Sequence, residues 1–508
     1  MAQYIMLQGT SSHVGKSIVA TALCRIFAQE GRKVAPFKAQ NMALNSYVTK
    51  EGLEMGRAQV AQAEAARLEP QVDMNPVLLK PTGNSCSQVI IQGKPLGNMS
   101  AREYHTGYAL TAFTAVKDSL KRLAQHYDTI VIEGAGSPAE VNLKDHDIVN
   151  MRVAKYVQAP VLLVADVDRG GSLAAVVGTL ELLDEDEREL VKGVIINKFR
   201  GDVSLFRPAV DFLEQKTGKP VLGVVPFIED LGIDDEDSVS LDDKQVADEE
   251  GTLQIAVMQL PKISNFTDFD SLAAEPDVSL HYVRHSGDLG HPDVIILPGS
   301  KNTIEDMQWL RSEGWEDRIN EALAQGIPVI GICGGYQMLG RTISDPQHSE
   351  SADGSVAALG LLDMTTTFAA GKLTSQIKAS CTALPFLGQS ITADSLTGYE
   401  IHMGQSVSHS GAQPIRVTQR FGRPCQDVSS TARNDGLVWG TYIHGIFDND
   451  MFRRAVLNAL RIHKGWQPIG ETYNFYREKE KSYDRLAQVV QQHLRMELLH
   501  RIMGGGES

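Results

Sequence analysis

The sequence predicts an α/β fold: two doubly wound, mostly parallel-sheet domains followed by a helical C-terminal tail. Three observations predict it. Short apolar strand candidates alternate with amphipathic helical stretches through most of the chain. Glycine-containing motifs fall at the carboxyl ends of those strands, where ligands bind in such sheets. A strongly acidic stretch separates two runs of the pattern.

In the first run, residues 1–228, strands are expected at Tyr4–Leu7, Val34–Phe37, Thr129–Glu133, Val161–Asp166, Gly193–Asn197 and Val221–Val225. Helical stretches lie between them, for example Glu54–Leu68 and Ala109–His126. The segment from Gly9 and Thr10 to Gly15-Lys16-Ser17 joins the first strand to an apolar-periodic stretch, Ile18 to Phe27. Strand, glycine loop and helix are the context of a loop that cradles phosphates. Backbone N–H groups point at the anion and Lys16 adds a mobile charge. Five residues rather than the standard four separate the two glycines. Ser17 is placed to ligate Mg²⁺, and Glu133, a strand-terminal acid, is suited to holding the same ion. The expected ligand is a nucleoside triphosphate.

Other motifs end other strands of this half. Lys38 and Asn41, after Val34–Phe37, are candidates for substrate or phosphate oxygens. Arg169, in Asp166-Val-Asp168-Arg169-Gly170-Gly171, can fork onto a carboxylate or phosphate. Asn197 is a candidate for reading the nucleotide base. Residues 229–250 are acidic with one cation, Lys244, and read as an exposed linker.

The second run, residues 251–455, starts with strands at Gln254–Gln259, Val294–Leu297 and Val329–Ile332, then Leu437–Ile443. Gly331-Ile332-Cys333-Gly334-Gly335 has the pattern of a nucleophile at a sharp strand-to-helix turn, where small neighbours avoid clashes. The following helix start offers N–H groups to an oxyanion. Gly334, Gln337 and Gly299 are the candidate contacts for an oxyanion and the bound substrate. His444 ends the strand Leu437–Thr441 and is the candidate general base. His402, in Tyr399-Glu400-Ile401-His402, competes for that role. Residues 456–508 form the charged helical extension, clearest from about Glu471 onward.

At 508 residues, 42% apolar and 22% charged, the composition is that of ordinary globular domains. No apolar run is long enough to span a bilayer, and no signal peptide is apparent. Five scattered cysteines (24, 86, 333, 381, 425) fit a reducing cytoplasm and show no structural-zinc spacing. A net charge of −15 argues against nucleic acid as the main partner. The expected partners are small molecules, and association into a homo-oligomer is left open.

The cysteine turn and downstream histidine resemble the class I, triad-type glutamine amidotransferases. The phosphate-loop half resembles the dethiobiotin synthetase group. Gln40-Asn41-Met42, Asp168-Arg169-Gly170-Gly171, Pro298-Gly299-Ser300-Lys301 and Glu400-Ile401-His402 together resemble the cobyric acid synthase family, over nearly the whole chain. The resemblance implies an ATP- and glutamine-dependent ligase that amidates the b, d, e and g carboxylates of adenosylcobyrinic acid a,c-diamide. Cys333 would be the glutaminase nucleophile and His444 its base, with a sheltered ammonia path between the domains. Triad enzymes usually place a Glu two residues after the His, and Ile446 stands there, so another acid or a backbone carbonyl must orient the ring. Alternatives are the related ligase of the a and c side chains, a partition-type switch ATPase and a plain glutaminase. The switch ATPases carry an extra lysine early in the loop, and residues 1–15 contain none.

Overall fold

The computed structural model describes residues 2–83, 86–229, 231–233, 251–351 and 353–504. Most of the expected acidic linker, residues 230 and 234–250, lies outside the described residues. The chain divides into two compact units.

The first unit comprises residues 1–43, 55–236 and 477–508. Six parallel strands form its sheet, in the order Val221–Pro226, Val191–Phe199, Val161–Asp166, Gln3–Gly9, Thr129–Glu133, Val34–Phe37. All six coincide with the expected strands to within a few residues. Their interiors are almost wholly buried, as expected when helices cover both faces. From Gln3–Gly9 the chain goes to the edge strand Val34–Phe37, returns to Thr129–Glu133 between the two, and then crosses to build the remaining three strands outward on the other side. Gln3–Gly9 therefore lies at a switch point, and the loops beginning at residues 9, 38, 133, 166 and 197 emerge from one end of the sheet.

A four-stranded sheet, in the order Gln40–Met42, Val77–Gly83, Cys86–Ile91, Lys94–Ser100, is added to this unit. The helix expected from Glu54 begins later. Glu54–Gly56 is a strand and Arg57–Ala65 the helix, because Gly56 is extended at its N-cap.

The second unit comprises residues 44–54 and 237–476. Its main sheet has the order Val278–Val283, Leu253–Met258, Val294–Leu297, Val329–Ile332, Val438–Thr441, Ser430–Ala432, parallel except for the last. A second sheet is built on a long hairpin, Met364–Phe386 with Gln389–Ser408. Leu387 and Gly388 both take positive φ (51° and 76°), the signature of a tight hairpin turn. Residues 44–54 are held to this hairpin: Thr374 Oγ1 donates to the Gly52 carbonyl at 2.7 Å, and Lys372 pairs with Glu54 at 2.5 Å.

One expected boundary falls elsewhere, and the tail joins the first unit. Position 455 lies inside a continuous helix, Asp450–His463, of the second unit. The helices Phe475–His493 and Met496–Met503 join the core of the first, where Tyr483, Leu486, Val490 and Leu499 pack in one cluster with Leu23 and Phe27. Arg25, 1% exposed, is held there by Glu480 and Asp484, each at 2.8 Å. The amphipathic tail thus buries its apolar stripe against a helix almost 460 residues earlier.

Candidate functional site

Two constellations stand out, one in each unit. In the first, Gly15 has φ +91°, and a Cβ there would lie 2.1 Å from Asn197 Nδ2. Only glycine fits. Asn197 donates to the Val14 carbonyl at 2.9 Å and Lys198 to the His13 carbonyl at 2.6 Å, so both buttress the loop. Thr10 N–H bonds Val164 at the next strand's end. A Cβ on Gly9 would come within 2.8 Å of Lys16 Nζ. Lys16 donates to the carbonyls of Ser11 and Gly136, both at 3.1 Å.

Glu133 is fully buried at the centre. Its Oε1 accepts from Ser17 Oγ at 2.8 Å and Lys38 Nζ at 2.9 Å, and its Oε2 from Gln62 Nε2 at 2.5 Å. Gln62, on the helix Arg57–Ala65, was not marked by any sequence motif. Its Oε1 is buried with no hydrogen-bond partner among the described residues. Hydroxyl, carboxylate and orphaned amide oxygen form a hard-oxygen donor set of the kind Mg²⁺ accepts, with phosphate oxygens and water completing the shell. Asn41 is buried and donates to Gln59 Oε1 at 3.2 Å. Arg169 is exposed on its loop, while neighbouring Asp168 pairs with Arg200 at 3.1 Å.

In the second unit, Cys333 joins the strand Val329–Ile332 to the helix Gly334–Met338 with φ +52° and ψ −105°. That backbone is strained for a residue with a side chain, as a nucleophile turn requires. The flanking glycines admit no side chain: a Cβ on Gly335 would lie 2.0 Å from the Leu297 carbonyl, and one on Gly334 2.7 Å from Ser300 N. Gly299 is equally confined, its Cβ position 3.2 Å from His444 Cε1. The Gly299-Ser300 segment therefore packs against both His444 and the glycine that follows the nucleophile. The Cys333 thiol faces the Ile401 carbonyl at 3.7 Å. Gln337 Nε2 donates to Tyr442 at 3.2 Å and Oε1 accepts from Thr303 at 3.2 Å, which fixes its amide as part of the wall.

His444 is 1% exposed. Its Nδ1 is bonded to Asp268 Oδ2 at 2.6 Å, and Asp268 Oδ1 accepts from Gly445 N–H at 2.9 Å. Cys333 also acts on the ring electrostatically. Burial alone would lower the imidazole pKa. The charges of Asp268 and Cys333 outweigh it and raise the value to about 10. Tyr399 stacks on the ring at 5.2 Å, and its hydroxyl bonds Asn265 and the Ser46 carbonyl. His402 has no hydrogen-bonded acid among the described residues: it stacks on Tyr442 at 3.8 Å, its Nδ1 donates to the Gly404 carbonyl at 2.7 Å, and burial lowers its pKa against the opposing charge of Glu400. Asp268 lies in a short 3₁₀ turn, Phe266–Phe269, with no motif to announce it. It is the acid missing from position 446.

A nucleotide-phosphate loop in one unit and a Cys-His-Asp constellation in the other define a glutamine-hydrolysing amide ligase. The comparisons agree. Residues 5–240 match the CobQ/CobB/MinD/ParA nucleotide binding domain, and residues 254–452 the CobB/CobQ-like glutamine amidotransferase domain. The chain is 55% identical to a cobyric acid synthase of Pelotomaculum thermopropionicum, covering 99% of this chain and 97% of that one. It is 53% identical to the cobyric acid synthase of Moorella thermoacetica (99% and 98% covered) and 50% to that of Salmonella arizonae (99% of each). The chain belongs to the cobyric acid synthase family. Among solved structures, a glutamine amidotransferase matches 41% of this chain and 97% of its own at 17% identity, with a TM-score of 0.28. That superposition is too loose to carry an argument. No helix among the described residues is long and apolar enough to cross a membrane.

Proposed function

We propose that the protein uses ATP and glutamine to amidate the b, d, e and g side-chain carboxylates of adenosylcobyrinic acid a,c-diamide, giving adenosylcobyric acid. The observation that carries this reading is the pairing, on one chain of this family, of a buried Ser17–Glu133–Lys38 centre with a Cys333–His444–Asp268 centre.

At the second centre, Cys333 attacks the carboxamide carbon of glutamine. The Gly334 N–H and the Gly299-Ser300 segment are the candidates to hold the oxyanion. The His444 imidazolium, held by Asp268, gives its proton to the departing nitrogen. Water then attacks the thioester, His444 takes the proton, and glutamate leaves. At the first centre, a substrate carboxylate takes the γ-phosphoryl of ATP, giving ADP and an acyl phosphate. Ammonia displaces inorganic phosphate and leaves an amide. Lys16 stabilises negative charge on the transferring group, and Lys38 is placed to do the same. Mg²⁺, held by Ser17 and Glu133 with the phosphates, would neutralise charge on the triphosphate. The protein's excess negative charge keeps it soluble, so attraction for a polycarboxylate must be local.

The test is glutamate release from glutamine with ATP and Mg²⁺, with and without the a,c-diamide corrinoid, by wild type and Cys333→Ala. Corrinoid-stimulated release, lost in the variant, with product mass falling about one unit per carboxylate converted, is the expected result. ATP hydrolysis indifferent to both glutamine and corrinoid would overturn it.

A further inference from the structure

The first unit contains a cavity of about 570 Å³ that the phosphate centre does not use. None of residues 9–17 lines it, nor does Asn197 or Lys198. It reaches the phosphate loop at one point, Gly136, whose carbonyl accepts from Lys16 Nζ at 3.1 Å. Gly136 has φ +58°, and a Cβ there would meet nothing within 4 Å, so open space lies above it. The turn is held rigidly: Asn150 Nδ2 donates to the Ala135 carbonyl at 2.7 Å, and Ala135 N–H donates to Asn150 Oδ1 at 3.2 Å.

The rest of the wall is chemically mixed. Met42 and Leu143 are large apolar side chains left 57% and 41% exposed at its edge. Beside them is His146, whose Nδ1 is buried with no hydrogen-bond partner among the described residues. Such an atom ordinarily finds a partner in a ligand or water. Lys144 and Lys155 also face the cavity, but each is neutralised by carboxylates, both reaching Glu187. Arg152 is different. Its guanidinium bonds the carbonyls of Asp145 and Asp147, at 2.9 and 2.7 Å, and no carboxylate within salt-bridge distance. The wall thus offers apolar side chains, a ring nitrogen unsatisfied among the described residues, and a guanidinium bonded to backbone carbonyls, with the Asp147 carboxylate acting on it from the same wall.

We propose that this cavity binds one edge of a corrinoid polycarboxylate, with Met42 and Leu143 against the macrocycle and His146 and Arg152 on its peripheral amide or carboxylate groups. The inference rests on the function proposed above and names where that substrate sits. The size suits it. Pockets of about 300–1,000 Å³ enclose a drug-sized ligand, and a corrinoid is larger, so only part of it enters. The carboxylate being converted then lies at Gly136, beside the lysine that meets the phosphates. Partial entry also suits a substrate that must present four different side chains in turn.

The test is equilibrium dialysis of the full-length protein with adenosylcobyrinic acid a,c-diamide, read by the corrinoid's own visible absorbance. Leu143→Asp adds a like charge at an exposed position, and Arg152→Ala removes the guanidinium. Each is expected to weaken corrinoid binding roughly tenfold or more, with affinity for a non-hydrolysable ATP analogue within about twofold of wild type. Leu143→Asn, uncharged at the same exposed site, is expected to fall between wild type and Leu143→Asp, and its melting temperature checks the fold. Wild-type corrinoid affinity in both Leu143→Asp and Arg152→Ala, or a parallel loss of nucleotide affinity, would overturn the assignment while leaving the proposed function standing. A wild-type protein that does not bind the corrinoid would overturn both.

Discussion

Asp268 Oδ2 lies 2.6 Å from Nδ1 of His444, a residue 176 positions later in the chain. The contact does two jobs. It fixes which ring nitrogen faces Cys333, and it holds positive charge on a ring that burial would otherwise keep neutral. The usual triad acid follows its histidine by two residues; here a 3₁₀ turn from another part of the same unit takes its place.

Asp268→Asn should lower kcat for glutamine hydrolysis by roughly 10²–10⁴-fold, as loss of an orienting acid does in other triads. The sign of the pH effect follows from the raised pKa. His444 stays cationic up to about pH 10, so the wild-type alkaline limb lies there. Without the Asp268 charge the ring loses its proton earlier, and the limb moves to lower pH. A kcat–pH profile of both proteins checks this; an unmoved limb would remove Asp268 from the role.

Cys333→Ala should abolish glutamine-dependent amidation while ammonium salts restore it at high pH, where more ammonia is unprotonated. ATP consumption should remain tied to product. Mass spectrometry of the corrinoid product reads the outcome directly. Failure of ammonium to rescue would mean that the two centres are not chemically separable.

Glu133→Gln removes a fully buried charge and breaks its ion pair with Lys38, which is 4% exposed. Breaking one side of such a pair costs roughly 3–5 kcal/mol. The urea midpoint should fall accordingly, and ATP-dependent turnover should disappear. Lys38→Met combined with Glu133→Gln should recover much of the stability and none of the turnover.

Gly335→Ala places a methyl 2.0 Å from the Leu297 carbonyl, a backbone atom that cannot rotate away. Overpacking of this kind typically costs about 1–3 kcal/mol. Because the helix start moves with it, glutaminase activity should fall further than thermal stability implies. Activity measured well below the melting temperature separates the two effects.

What the sequence revealed depended on whether the signal was local. The six strands of the first sheet are short apolar runs bounded by turn residues, and each is where the pattern placed it. The loop Gly9–Ser17 and the Cys333 turn are contiguous motifs, legible because glycine, lysine and cysteine must be close in sequence to work. His444 was legible as a strand-end histidine. Asp268 and Gln62 were not, since each reaches its partner only through the fold and sits among residues with no distinguishing spacing. Residues 44–54 gave no hint of joining the second unit. The hairpin from Met364 to Ser408 was also missed; its strands are long, irregular and interrupted by bulges, so alternation is broken.

The helices from Phe475 to Met503 supply apolar side chains to a core whose first strand starts at Gln3. Synthesis and folding therefore run out of step. While the ribosome is still making residues 237–476, the nucleotide-binding half already has its sheet-forming segments but lacks the layer over Leu23 and Phe27. Its apolar face must wait, open to chaperones or to aggregation, until that layer emerges. A gene fragment ending near residue 236 would leave it permanently bare, so coexpression of 1–236 with 477–508 is the minimal route to that half in isolation.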